Sequence, residues 1–361
     1  MGNRPVRPPP LLLCGHGSAD PAGVAAFAAL RARVAALLSP GSVEVAGGFI
    51  ELSAPPLSQA VSKLVGRGHR RVVAVPVVLV AAGHAKGDIP AALAAQRAHQ
   101  GGLSFAYGRP LGPNPILTRL LADRISAVVR SDPAPYAVLV VGRGSTDPDA
   151  NADVCKTARL LWETAPPGES RPQFAETAFV SLAEPGVATG LERCRRLGGR
   201  RIVVARYFLF PGVLPDRVAA QARGYAAGHP ELDIRCTDVL GDCAEIAELA
   251  VARYHEALTG DIRMNCDMCV YRVAMPGFAH RVGAAQQPHH HPAEPVRALG
   301  GYPAGHDSAT PGAGRPVAGH HDGTGQDGAD GQSATSQSVT GQSATSQDAT
   351  SQDATGHDHV H

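Results

Sequence analysis

Two histidines stand where apolar runs end in glycine. Leu11 to Ser18 reads LLLCGHGS, with His16 between Gly15 and Gly17, and a later run closes on AAGHAKGD, with His84. Glu51 sits at the end of another apolar run, in GFIELSAPPL. Neutral imidazoles are borderline ligands that suit Co²⁺, Ni²⁺, Zn²⁺ or Fe²⁺. Two are too few to close a structural site, which usually takes four protein ligands, so such a site keeps positions for water or a substrate. Gly15, Gly17 and Ser18 form a turn where backbone N–H groups could approach an anion at the start of a helix. Lys86 and Arg109 would add positive charge. The chemistry expected is an anionic molecule meeting a divalent metal.

These residues need a scaffold that gathers them. In the first half, Leu11–Cys14, Val43–Ile50, Arg71–Val80 and Leu103–Tyr107 read as strands, and helix-period patterns cover Ala22–Leu38, Leu57–Val65, Ile89–His99 and Ile116–Val129. Nearly all-apolar strands separated by helices predict a mainly parallel four-stranded sheet covered on both faces, an α/β, Rossmann-like domain. Ligands of such sheets sit beyond the carboxyl ends of the strands. His16, Glu51, His84 and Arg109 each fall just past, or at the end of, one strand.

The second half repeats the plan. Its strands are expected at Ala137–Val141, Phe174–Phe179, Arg201–Leu209 and Leu232–Cys236, and its helices at Asn151–Glu163, Val187–Leu197, Pro215–Ala227 and Cys243–Leu258. LLLCGHGSADP corresponds to VLVVGRGSTDP, GFIELSAPPL to AFVSLAEPGV, and RRVVAVPVVLVAAG to RRIVVARYFLFPG. Two tandem copies of one domain are expected. The glycines persist in the second copy, but Arg143 replaces His16, Ser181 replaces Glu51, and Val213 replaces His84. A near-copy without the histidines implies that the fold does not need them. The plain alternatives are a turn histidine capping a helix and an ordinary loop histidine.

The chain of 361 residues has room for two ordinary domains, and its net charge of +1 predicts no general attraction to nucleic acid. Hydrophobic residues make up 44% and aromatics only 4%, so the cores must be built from Ala, Val and Leu. Seven cysteines without framework spacing suggest a reducing compartment. With no signal-like stretch and no apolar run approaching the roughly 20 residues of a membrane span, a cytoplasmic protein is expected. The predicted organisation is a leader over 1–10, a site-bearing domain over 11–131, a degenerate copy over 132–260, a cysteine-bearing segment over 261–292 and a disordered tail over 293–361. That tail is Gly, Ser, Thr, Gln, Asp and His, too polar to offset its ordering entropy. Nine of the chain's 16 histidines lie between His289 and His361. Such tracts bind divalent metals weakly, and a tethered one would act as a local reservoir.

LLLCGHGS, GFIELSAPPL, VPVVLVAAGHAKGDIP and the segment MNCDMCVYRVAMPGF…HHHP together resemble the long-form sirohydrochlorin cobaltochelatases of the class II chelatases, over roughly residues 11 to 292. The resemblance implies a duplicated chelatase fold that inserts Co²⁺ into sirohydrochlorin without ATP during cobalamin synthesis. It implies that His16 and His84 contact the metal, that Glu51 assists, and that the second copy is inactive or supporting. Insertion replaces two pyrrole N–H protons, so a group must accept protons as the metal sheds water, and a histidine or Glu51 could do so. The absence of a P-loop signature agrees with a reaction that uses no ATP.

Cys266 and Cys269 form a C-x-x-C pair, half of a tetrahedral zinc or iron–sulfur site. Some long-form cobaltochelatases hold an iron–sulfur cluster at this pattern, and the resemblance suggests one here, completed by other cysteines, by non-cysteine ligands or by a second subunit in a homodimer. A redox dithiol or an unmetallated pair is the alternative. Rival functions are iron insertion for sirohaem, a non-catalytic metal store or delivery protein, and phosphoryl transfer through a histidine nucleophile. The last is disfavoured because Gly15 stands where histidine phosphatases carry an arginine.

Overall fold

The structure is a computed structural model that describes residues 8–38, 43–129, 134–165, 171–262, 269, 271–272, 274 and 276–284. The first lobe carries β1 (Leu11–Gly15), α1 (Pro21–Leu37), β2 (Val45–Phe49), α2 (Leu57–Gly66) and β3 (Arg71–Pro76). A π-helical turn (His84–Asp88), α3 (Ile89–His99), β4 (Ser104–Tyr107) and α4 (Pro115–Val129) complete it. The second lobe runs β5 (Ala137–Gly142), α5 (Pro148–Glu163), β6 (Ala175–Phe179), α6 (Val187–Arg196), β7 (Arg201–Arg206), α7 (Val213–Ala227), β8 (Asp233–Cys236) and α8 (Ala244–Thr259). Each lobe has one four-stranded sheet, all parallel, in the orders β2-β1-β3-β4 and β6-β5-β7-β8. The expected α/β architecture and tandem repeat are therefore present.

All five residues of β1 are buried, and their side chains alternate between two cores. Leu12 and Cys14 pack with Leu57, Val61 and Leu64 of α2 and with Ile89 and Leu93 of α3. Leu11 and Leu13 face the opposite way, toward Phe27, Leu30 and Val34 of α1. Asp20 starts α1 by accepting from the Ala22 N–H, with Pro21 in the first turn, where a missing donor is harmless. Asp147 and Pro148 repeat this device at α5.

The third strand of each lobe is shorter than its apolar run predicts. β3 ends at Pro76 and β7 at Arg206, where their pairing with β1 and β5 stops opposite Cys14 and Val141, two residues beyond the last pairs with β4 and β8. The apolar residues beyond, Val77 and Leu79 or Tyr207 and Leu209, leave the sheet and pack on the core as loops.

The sequence copies are not separate packing units. α4 packs on α5 and β7 of the second lobe, whereas α8 packs on α1, β3 and β4 of the first. Arg124 on α4 donates from Nε and Nη2 to the carbonyls of Val239 and Leu240. Arg253 on α8 makes the matching pair to Pro110 and Leu111. One buried cluster accordingly runs from Leu11 through Val138 to Tyr254. Among the described residues no helix is long and apolar enough to cross a membrane.

Candidate metal centre

The turns beyond the strands of the first lobe converge. The Glu51 N–H donates to the His16 carbonyl at 3.0 Å, pulling the turn after β2 onto the turn after β1. At the crossing Gly17 has φ +110°, and a Cβ there would lie 1.8 Å from the Glu51 carbonyl oxygen. Only glycine fits so close an approach. Leu52, at φ +60°, completes a tight turn closed by the Ser53 N–H onto the Glu51 carbonyl at 2.7 Å. Ser53 is buried, and its hydroxyl accepts from the Ser18 N–H and donates to the Ser18 carbonyl.

His84 enters from another direction. It opens the π-helical turn, and its Nδ1 lies 2.6 Å from Asp88 Oδ2 one turn along. The turn is pinned by the Tyr107 hydroxyl, which donates to the Ala85 carbonyl at 2.7 Å. A loop histidine is therefore not what the structure has: His84 is 6% exposed and Asp88 8%.

His16, Glu51 and His84 each place a ligand atom within 4.8 Å of the other two. The imidazole centroids are 4.3 Å apart with planes at 80°, and His16 Nε2 is 3.0 Å from Glu51 Oε1. His16 lies between two acceptors, the Gly17 carbonyl 3.0 Å from Nδ1 and Glu51 Oε1 3.0 Å from Nε2, so a metal at Nε2 would take the place of the direct contact with Glu51. Asp88 accepts from His84 Nδ1 and leaves Nε2 to a metal, as outer carboxylates commonly do for metal-ligating histidines. Two nitrogens and a carboxylate oxygen make a donor set for a first-row divalent ion, and three protein ligands leave room for others.

Other predicted residues lie elsewhere. Gly15 is a packing position, where a Cβ would meet Phe27 and Phe49 at 2.9 Å. Three amides at and after the Ser18 turn are engaged within the chain. The Ser18 N–H is bound to Ser53, the Asp20 N–H to the Ser18 hydroxyl, and the Ala22 N–H to Asp20. Neither expected cation faces the three ligands as a spare charge. Lys86 is buried between the lobes, with Nζ 2.8 Å from Asp147 and 2.9 Å from Asp149. Burial pulls its ammonium pKa down, but hydrogen bonds to the two carboxylates prevail and raise it, so it stays charged. Arg109 is bound bidentately to Glu256 of α8.

Three residues escaped the sequence reading. Asp88 carried a signal, a carboxylate four residues after His84, hidden because AAGHAKGD reads as a loop. Ser53 had none, since its role is set by a crossing of two loops. Arg143 had one: it holds the place of His16 in the second copy, and its Nη1 lies 3.3 Å from His84 Nε2.

The cysteine pair lies at the edge of the described structure. Cys266 falls outside the described residues, while Cys269 is a half-buried free thiol. Among the described residues no group of three or more potential ligands includes a cysteine, so no iron–sulfur site is supported. Cys14 and Cys194 are buried core residues, and burial raises both thiol pKa values. The histidine-rich stretch from residue 285 onward also lies outside the described residues.

The profile of the CbiX family matches residues 10–128 and again 137–257. A sirohydrochlorin cobaltochelatase of Priestia megaterium is 33% identical over 270 residues, covering 73% of this chain and 85% of that protein. A sirohydrochlorin ferrochelatase of Bacillus subtilis strain 168 is 27% identical, over 62% of this chain and 82% of its own. Among solved structures, SirB from Bacillus subtilis with Fe³⁺ superposes with a TM-score of 0.59 at 25% identity, over 70% of this chain and 96% of SirB. Profile, relatives and tandem sheets agree: the chain belongs to the CbiX family, with two copies of its domain in one polypeptide.

Proposed function

We propose that this chain is a sirohydrochlorin chelatase that inserts Co²⁺ without ATP, in the cytoplasm, in the synthesis of cobalamin. The observation that carries the reading is the convergence of ligand atoms of His16, Glu51 and His84 within 4.8 Å of one another, with Asp88 behind the His84 ring. His16 and His84 take the ion from water and hold it with positions open toward the macrocycle. Two pyrrole N–H groups lose their protons as the metal enters: one Co²⁺ goes in and two H⁺ leave. Glu51, half-buried with 29% of its side chain exposed, is placed to accept the first proton and pass it to water.

The test is direct. Purified protein mixed with sirohydrochlorin and Co²⁺ should give the visible spectrum of the metallated macrocycle over many turnovers. His16→Ala and His84→Ala should each lower that rate by on the order of 10²-fold or more. A rate no higher than without protein, or unaffected variants, would overturn the proposal and leave a metal store as the better reading.

Iron insertion is the second reading, favoured by the ferrochelatase relatives in Priestia megaterium and Bacillus subtilis. Imidazole and carboxylate accept both ions. The nine histidines after residue 288 favour cobalt as a tethered reservoir. Competition between Fe²⁺ and Co²⁺ decides. Removing residues 293–361 should slow the reaction only when metal is limiting, and equal loss at saturating metal would refute the reservoir.

A further inference from the structure

The second lobe lost its own site but still reaches into the first. Arg143 follows Gly142 as His16 follows Gly15, and the backbone around the two positions is the same. The Ser181 N–H donates to the Arg143 carbonyl at 2.9 Å, matching Glu51 on His16 at 3.0 Å. A Cβ on Gly144 would lie 1.8 Å from the Ser181 carbonyl oxygen, the same distance as for Gly17 and Glu51. The slot is preserved and only its side chain has changed.

Because the strand ends of the two lobes meet, that side chain enters the neighbouring site. Nη1 of Arg143 lies 3.3 Å from Nε2 of His84, the nitrogen whose lone pair a metal would use. A guanidinium is always protonated and has donors but no acceptor, so it can bind this lone pair but never a cation. A divalent ion must displace it and then tolerate its charge nearby. A macrocycle bearing eight carboxylates offers the guanidinium a better partner.

We propose that Arg143 is a counter-ligand that covers His84 Nε2 until a polycarboxylate macrocycle draws the guanidinium away, so that metal coordination is coupled to macrocycle binding. The proposal rests on reading His16, Glu51 and His84 as the metal site. It makes Arg143 a positioning residue that discourages the enzyme from holding a metal with nothing to receive it. By linkage, the macrocycle raises metal affinity by the factor through which the metal raises macrocycle affinity.

The test uses the full chain without macrocycle, titrated with Co²⁺ against a fluorescent chelator. A His16→Ala/His84→Ala double variant supplies the background from histidines outside the site. Arg143→Ala and the bulkier Arg143→Gln should bind Co²⁺ about tenfold more tightly than the wild type, within the usual range of coupling between sites. Arg143→Lys, which keeps the charge, should stay closer to the wild type. In steady state the two neutral variants should show a raised KM for sirohydrochlorin. Unchanged Co²⁺ affinity in both, while the double variant loses the site, would overturn the role of Arg143 and leave the metal site standing. A double variant that binds Co²⁺ like the wild type would remove the metal site, and this inference with it.

Discussion

His84 and Asp88 form a buried pair, with Nδ1 and Oδ2 2.6 Å apart across one π-helical turn. The widened turn matters because it places a carboxylate behind an imidazole that lies against His16, with ring centroids 4.3 Å apart. Asp88→Asn keeps the shape but loses the charge that fixes the ring. It should weaken Co²⁺ binding by about 10–100-fold, the usual cost of losing an outer partner of a metal ligand. Metal titration checks this, with unchanged circular dichroism showing that the fold survives.

Gly17 and Gly144 should be equally intolerant of a side chain. Each has positive φ and would place a Cβ 1.8 Å from a carbonyl oxygen, so Gly17→Ala and Gly144→Ala should each cost about 3 kcal/mol or more. Only Gly17→Ala moves the Glu51 turn. Its activity should fall further than the folded fraction measured by urea denaturation explains.

Lys86 is expected to matter for stability. Its ammonium is the partner of two buried carboxylates from the other lobe. Lys86→Met leaves Asp147 and Asp149 beside each other without that cation, which should destabilise the protein by about 3–5 kcal/mol. Arg109→Ala, whose ion pair with Glu256 is partly exposed, should cost about 1 kcal/mol or less. Denaturant midpoints for the two variants test this ranking.

Asp153, on α5 near the same carboxylates, gives a pH dependence. Burial, and then the charge of Asp149, push its carboxyl pKa up from 3.8 to about 6. The folded state therefore keeps a proton that the unfolded chain releases, and stability falls as pH rises from 3.8 to about 6. The full cost persists at higher pH, about 1 kcal/mol once solvent screening is allowed for. Asp153→Asn should raise Tm above that window by about 2–4 °C and leave it unchanged in stronger acid. Thermal melts across the range check the sign.

The sequence by itself determined the local elements, because each is a short-range matter. Apolar runs made the strands, Asp20-Pro21 and Asp147-Pro148 started equivalent helices, and the repeat showed which glycines belong to the fold and which imidazoles do not. His16, Glu51 and His84 were legible together because every strand of a parallel sheet delivers its end to the same rim. Tertiary structure alone decided the rest. Lys86 and Arg109 read as spare cations, yet their partners Asp147, Asp149 and Glu256 come from the other half of the chain. Exchange of α4 and α8 between lobes, the Ser53 crossing and the approach of Arg143 to His84 join residues far apart in sequence. Periodicity records which face a residue turns inward; what it meets there depends on how two sheets pack, and that is a property of the whole chain.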